Sequence, residues 1–206
     1  MGDGMERDVR LLGIIPVGNM GGELLLEAMN GIHDAFSAAM QYPDDAVFFQ
    51  CAQVVDRPMN IPKTAYNSEK GLHSIEPFFG LSREVKEIID RTLVQQGRRK
   101  LYKSLVLTDV PLYSNVFNIS VYGEADVNGS HAVVSTGLLK RGARQTTLKE
   151  RTIKECVHEL GHTMGLRHCS TSTCVMSLSS DLYDVDGKSR HFCPACAGAL
   201  SFDAVW

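Results

Sequence analysis

What is missing from this 206-residue sequence already narrows what the chain can be. No apolar run approaches the ~20 residues that a bilayer-spanning helix needs. Neither sign of charge dominates: 21 Lys and Arg against 24 Asp and Glu leave a net charge of −3. That balance supplies no overall pull toward nucleic acid or an anionic membrane. Internal repeats and low-complexity tracts are absent, which argues against a solenoid or a linker array. The opening residues, MGDGMERDVR, carry acids and no apolar stretch, so no secretory leader is expected there. Glu6 stands where an N-myristoylation signal wants Ser or Thr. The expectation is a cytoplasmic protein, a monomer by default with its oligomeric state open, that binds neither nucleic acid nor membrane. With 44% hydrophobic and 22% charged residues, the composition is that of an ordinary globular chain. One domain of this length can bury a core without disulfide support.

Cysteines are few but unevenly placed. Cys169, Cys174, Cys193 and Cys196 crowd into the last forty residues as C-x4-C, an 18-residue spacer and C-x2-C. In a reducing compartment that spacing reads as a four-thiolate zinc site, with two disulfides as the alternative. Cys51 lies in the apolar run AVFFQCAQVV and is expected in the core.

Periodicity divides the rest into strands and helices. Residues 9–17, 46–55 and 101–107 are short apolar runs that predict buried strands, and 115–122 and 130–136 are further strand candidates around a polar turn at 127–129. Helical spacing covers 23–40 and 81–95, the second with Ser82 as expected N-cap, and 61–79 reads as irregular. This order predicts an α/β domain with a mixed sheet. The Gly-containing segment from Val17 to Gly22 fits no phosphate-loop pattern and is read as a turn. The basic cluster Arg98-Arg99-Lys100 reads as a solvated helix end.

One stretch dominates: His158-Glu159-Leu160-Gly161-His162-Thr163-Met164-Gly165-Leu166-Arg167-His168. Thr147 followed by Glu150 predicts a capping box, so a helix can start there and run through His162. Residues four apart on a helix share a face, which puts His158 and His162 where one zinc can bind both. Glu159 is beside the first of them, and Gly165 can turn left-handed so that His168 becomes a third ligand. Three imidazoles leave one zinc position open, the mark of a catalytic site. Chance would produce H-E-x-x-H in roughly one such chain in eighty, and the pattern with Gly165 and His168 in roughly four per hundred thousand. Cys156, two positions before His158, is expected to be buried and to face away from the metal. His33, His73, His131 and His191 have no comparable partners and read as surface or hydrogen-bonded structural residues.

The extended pattern resembles the metzincin metalloproteases. With Cys169 directly after His168, then Cys174, Met176, Cys193 and Cys196, it is similar to the archaemetzincin family. The resemblance implies that His158, His162 and His168 hold a catalytic zinc and that Glu159 is the general base. It implies a second, structural zinc on Cys169, Cys174, Cys193 and Cys196, and Met176 as the Met-turn residue beneath the site. Leu178 stands where some metzincins carry a tyrosine, so no tyrosine role is carried over. A nucleobase deaminase is disfavoured, since no H-x-E occurs and Pro194 lies inside the C-x2-C. A nucleic-acid-binding zinc module is disfavoured because residues 169–196 are acidic on balance.

The expected fold is therefore α/β and zincin-like: a single catalytic domain over 1–206, with a mixed sheet and the active-site helix in a lobe of about 1–165. A small zinc-stapled lobe covers about 166–206. The expected function is zinc-dependent peptide hydrolysis with two zinc ions per chain and a peptide or protein substrate. The alternative is a zinc protein that binds peptides with little hydrolysis. Substrate is expected along an open sheet edge, either the strand within 116–122 or that within 132–135.

Overall fold

The computed structural model describes residues 8–40 and 47–200. Its elements in order are β1 (Asp8–Val17), α1 (Gly22–Ala39), β2 (Val47–Gln53), β3 (Tyr66–Asn67), β4 (Leu72–Ser74), α2 (Glu76–Gln95) and β5 (Lys103–Thr108). There follow β6 (Leu112–Tyr113), β7 (Ser120–Val121), β8 (Gly123–Ala125), β9 (His131–Ser135), α3 (Thr136–Leu139), α4 (Gln145–Thr163), α5 (Leu182–Gly187) and α6 (Pro194–Ala199). The opening residues judged against a leader, and Ala46 at the start of the second expected strand, lie outside the described residues.

Five strands form the main sheet in the order β2-β1-β5-β9-β8, all parallel except β8, which runs antiparallel to β9. The parallel strands are apolar on both faces because helices cover both. Leu12, Ile14, Leu105, Leu107, Ala132 and Val134 meet α1 and α4 in one buried cluster. Ile15, Val17, Val106 and Val133 meet Phe78, Phe79 and Val85 of α2 in another. Leu166, Cys174, Val175 and Met176 belong to the α4 cluster, so the cysteine-rich segment shares that core. A second small sheet, β3-β4-β6-β7, flanks the first.

Five local expectations are corrected. Helix α2 starts at Glu76, five residues before the expected 81, because Pro77 fits a first turn that needs no N–H and Phe78 and Phe79 are buried. Ser82 is accordingly no cap; it is buried and shares hydrogen bonds with Ser104 Oγ (2.9 Å) and His131 Nδ1 (3.1 Å). Helix α4 starts at Gln145 with Arg144 as N-cap and no side-chain cap, and Glu150 pairs with Arg190 instead of closing a capping box. Residues 115–122 are mostly a turn around Asn118 (φ 56°), leaving only Ser120 and Val121 as strand. The strand holding Ala132–Ser135 is interior, between β5 and β8, so β8 forms the sheet edge.

No described helix is long and apolar enough to cross a membrane.

Candidate metal centres and active site

Helix α4 is polar in sequence, yet residues 151 to 161 are all buried between the sheet, α1 and the cysteine-rich segment. A buried charge needs a partner, and here the partners are specific. Arg151 donates to both carboxylate oxygens of Asp186 (2.7 and 2.6 Å) and to the Leu139 and Arg141 carbonyls (2.8 and 3.0 Å). Lys154 donates to the Val185 and Asp186 carbonyls (3.0 and 2.9 Å). Glu155 lies 2.9 Å from Lys188.

At the C-terminal end of α4 three imidazoles converge. His158 Nδ1–H donates to the Val175 carbonyl and His162 Nδ1–H to the Leu166 carbonyl, each at 2.8 Å. A carbonyl only accepts, so these bonds assign the proton to Nδ1 and leave the Nε2 lone pairs free. Those two Nε2 atoms face each other at 3.1 Å. Two lone pairs at that separation repel unless a cation lies between them and a third donor. The third is His168, whose ring centroid is 5.3 Å from that of His158 and 4.9 Å from that of His162. One ring nitrogen from each of the three falls within 4.8 Å of the others. Burial lowers the pKa of all three, most strongly for His158, with Lys188 adding to the effect; neutral imidazole is the metal-binding form.

The turn that delivers His168 is the expected one. Gly165 has φ +88°, its N–H bonds to the His162 carbonyl (3.0 Å), and Leu166 N–H bonds to the Gly161 carbonyl (3.1 Å). This paired closure ends a helix with a left-handed residue, where any Cβ is costly. Glu159 is 6% exposed, and burial, aided by Glu155 and Glu124, raises its pKa well above the usual range while Lys188 opposes. It lies under the edge strand: a Cβ on Gly123 would fall 2.8 Å from Glu159 Cγ and 2.9 Å from its Oε1. Met176 is fully buried against Gly161.

The four clustered cysteines form a second donor set, their sulfurs within 4.8 Å of one another, and all are free thiols. Thr171 N–H points at Cys169 Sγ (3.4 Å) and lowers that thiol to about 7, whereas burial raises Cys174 and Cys196. Four thiols this close cannot all ionise without a shared cation, which is the chemistry of a thiolate zinc site. Cys156 is fully buried in the core and outside both sets, and Cys51 packs against the same core, its thiol raised to about 12 by burial.

The two donor sets share backbone. Cys169 N–H bonds to the Met176 carbonyl (2.9 Å), and Val175, whose carbonyl holds His158, immediately follows Cys174.

The model of peptidase family M54 matches residues 53–201. The chain belongs to that family. The archaemetzincin of Methanopyrus kandleri is 36% identical over 148 residues, 72% of this chain and 77% of the relative. That of Haloquadratum walsbyi is 30% identical over 194 residues, 90% and 96% of the two chains. The solved archaemetzincin structure from Methanopyrus kandleri covers 94% of each chain at a TM-score of 0.67 and 28% identity. The Archaeoglobus fulgidus structure, complexed with malonate, covers 92% of this chain and 99% of its own at 0.66 and 25%. This M54 chain is an archaemetzincin-family zinc metallopeptidase with histidine and cysteine metal-binding groups, and peptides or proteins are its substrates.

The three histidines and the four cysteines fall in two clusters, Glu159 adjoins His158 along α4 and lies against Gly123, and Met176 lies against Gly161. The sequence reading missed Lys188, Glu155, Arg151, Asp186, the Val175 carbonyl and Gly123. Residues 151, 154, 155, 158 and 159 do form a polar stripe at helical spacing, the one sequence signal that could have pointed to buried charge on α4. A separate cleft of about 560 Å³ lies along α2 beside Lys86, Asp90 and His131, on the sheet face away from α4.

Proposed function

We propose that His158, His162 and His168 hold the catalytic zinc of this peptidase, that Glu159 is its general base, and that Cys169, Cys174, Cys193 and Cys196 hold a structural zinc. The observation that carries the reading is the convergence of three ring nitrogens within 4.8 Å, two with their other nitrogen committed to a carbonyl, beside a buried carboxylate. When bound there, zinc acidifies water and polarises the scissile carbonyl. Glu159 takes the proton of the attacking water and passes it to the leaving amine; its raised pKa suits a group that must both accept and release a proton. The peptide lies extended along β8, whose outer edge is free of a partner strand among the described residues, with Gly123 bringing it close to Glu159. Met176 supports the site from beneath. The chain works as one catalytic domain, a sheet-bearing lobe of about 1–165 and a zinc-stapled lobe of about 166–206, joined by the shared core under α4.

The test is mass-spectrometric profiling of a diverse peptide library with wild type and Glu159→Gln. Wild type should cut a subset of peptides that the variant leaves intact, by a factor of ~10²–10⁴ in rate, while both retain zinc. Identical cleavage by the two proteins would sink the assignment of Glu159.

A further inference from the structure

Helix α4 and the segment that follows α5 meet through two opposite charges with almost no water. Lys188 has a side chain 0% exposed and Glu155 one 4% exposed, with Nζ and Oε1 2.9 Å apart. Neither atom makes an aligned hydrogen bond among the described residues, so in that region each charge answers the other. Taking both charges out of water costs several kcal/mol per ion, and a well-packed apolar pair would stabilise the fold as well or better. Stability alone therefore does not explain the pair.

Its place in the fold does. Glu155 lies one helical turn before Glu159 and three residues before His158. Lys188 begins a stretch that is hydrogen-bonded to the loop carrying the acceptor of His158. Ser189 N–H donates to the Thr173 carbonyl (2.9 Å), and Val175 N–H donates to the His191 carbonyl (3.0 Å). Val175 in turn accepts from His158 Nδ1–H (2.8 Å). The contacts close a ring: Lys188 to Glu155, along α4 to His158, across to Val175, and back through His191 and Ser189 to Lys188. Lys154 and Arg151 fasten the adjoining part of α5 to the same helix, at Val185 and Asp186. Every other link in the ring is backbone or the imidazole itself; the Lys188–Glu155 contact is the link that depends on two side-chain identities.

We propose that Lys188, through its buried ion pair with Glu155, is a positioning residue that sets α4 against the Val175 loop and so aligns His158 and Glu159 for zinc and substrate. The inference rests on the reading above that the three histidines hold zinc. An apolar pair would fill the same space without fixing the separation between helix and loop, because dispersion contacts have no preferred partner atom.

Three proteins test this: Lys188→Met, which orphans Glu155, the double variant Lys188→Met/Glu155→Met, and His162→Ala as the reference for the underlying reading. Zinc affinity is read by chelator competition, the fold by thermal unfolding, and the His158 Nδ1–H···O=C bond by its downfield proton in ¹⁵N-histidine-labelled protein. The double variant, which removes the orphan charge, should unfold close to wild type. It should still lose affinity at the three-His site by 10–100-fold, lower kcat at nearly unchanged KM, and broaden the His158 proton. A double variant with wild-type affinity, kcat and His158 signal would show the pair to be structural only and overturn the inference. His162→Ala should lower zinc content by one ion; if it does not, the three-His reading fails, a result separate from any outcome at 155 and 188. Should Lys188→Met not fold, the double variant alone decides.

Discussion

Helices α2 and α4 cover opposite faces of one sheet, and they handle charge in opposite ways. On α2 the ion pairs follow the helix surface. Arg91 and Glu87 are 3.8 Å apart with 68% and 73% of their side chains exposed, whereas Lys86 and Asp90, at the same i,i+4 spacing, meet at 2.6 Å with only 14% and 13% exposed. On α4 the ionisable side chains of Arg151, Lys154, Glu155, His158 and Glu159 are buried, and the first four reach carbonyls or opposite charges on other segments. A pair as exposed as Arg91 and Glu87 contributes little, while the buried charges of α4 cannot lose a partner cheaply. The lesson is that the buried polar residues of α4 are held by partners on other segments, whereas the ion pairs of α2 join neighbouring turns of the same helix.

The largest expected effect lies where the two donor sets share backbone. Cys193→Ser with Cys196→Ser, both remote from α4 in sequence, should weaken zinc binding at the three histidines by 10–100-fold, because the Cys169–Met176 bond and the Val175 carbonyl then lose their anchor. A chelator titration checks it; unchanged affinity in a folded variant would make the two sets independent. Next, Gly123→Ala places a methyl 2.8 Å from Glu159 Cγ and 2.9 Å from the Val133 carbonyl. It should reduce kcat by about tenfold with zinc content intact, as misplacing a catalytic group by a fraction of an ångström does. Steady-state kinetics beside metal analysis separates this from a loss of metal.

Stability changes are smaller and sharpen the contrast directly. Arg151→Ala should cost about 1–3 kcal/mol by denaturant unfolding, since it leaves the Leu139 and Arg141 carbonyls without their donor. Arg91→Ala should cost under about 0.5 kcal/mol and leave activity unchanged. Equal losses would contradict the contrast between the helices.

A pH dependence tests the sheet end of α4. Lys103 is 2% exposed and donates to the Thr163 and Gly129 carbonyls (3.0 and 2.6 Å). Burial, with Lys86 nearby, lowers its pKa to about 8, below the unfolded value of about 10.4. Between those values the unfolded chain binds more protons, so this group's contribution to stability rises with pH from about 8 to about 10.4, and below pH 8 the cost of burying the charge is fully present. The difference in unfolding free energy between wild type and Lys103→Met should carry that slope; a difference flat across the window would mean that Lys103 is not perturbed.

Much of this was legible in the sequence, and the illegible part has a physical cause. The buried parallel strands announced themselves as apolar runs because both their faces are covered. Both donor sets were readable because zinc demands particular atoms at short, repeated spacings, and Gly165 because the turn to His168 requires a left-handed residue. Ser82 and the pair Thr147 and Glu150 misled as caps because a cap is only a local preference, and the apolar contacts of Phe78 and Phe79 outweighed it at α2. The β8 edge was hidden because three residues give too short a pattern to read. Lys188 was counted only as one charge in an acidic segment; its partner is 33 positions away, and nothing local marks a lysine that tertiary packing will bury.

The central claim is that the chain holds two metal sites, one of histidines at the end of α4 and one of cysteines in the segment that follows. X-ray diffraction from crystals of the zinc-loaded protein, recorded on both sides of the zinc absorption edge, tests it most directly. Two anomalous peaks are expected, one among His158, His162 and His168 beside Glu159, the other among Cys169, Cys174, Cys193 and Cys196. A single peak, or electron density joining those cysteines in disulfides, would contradict it.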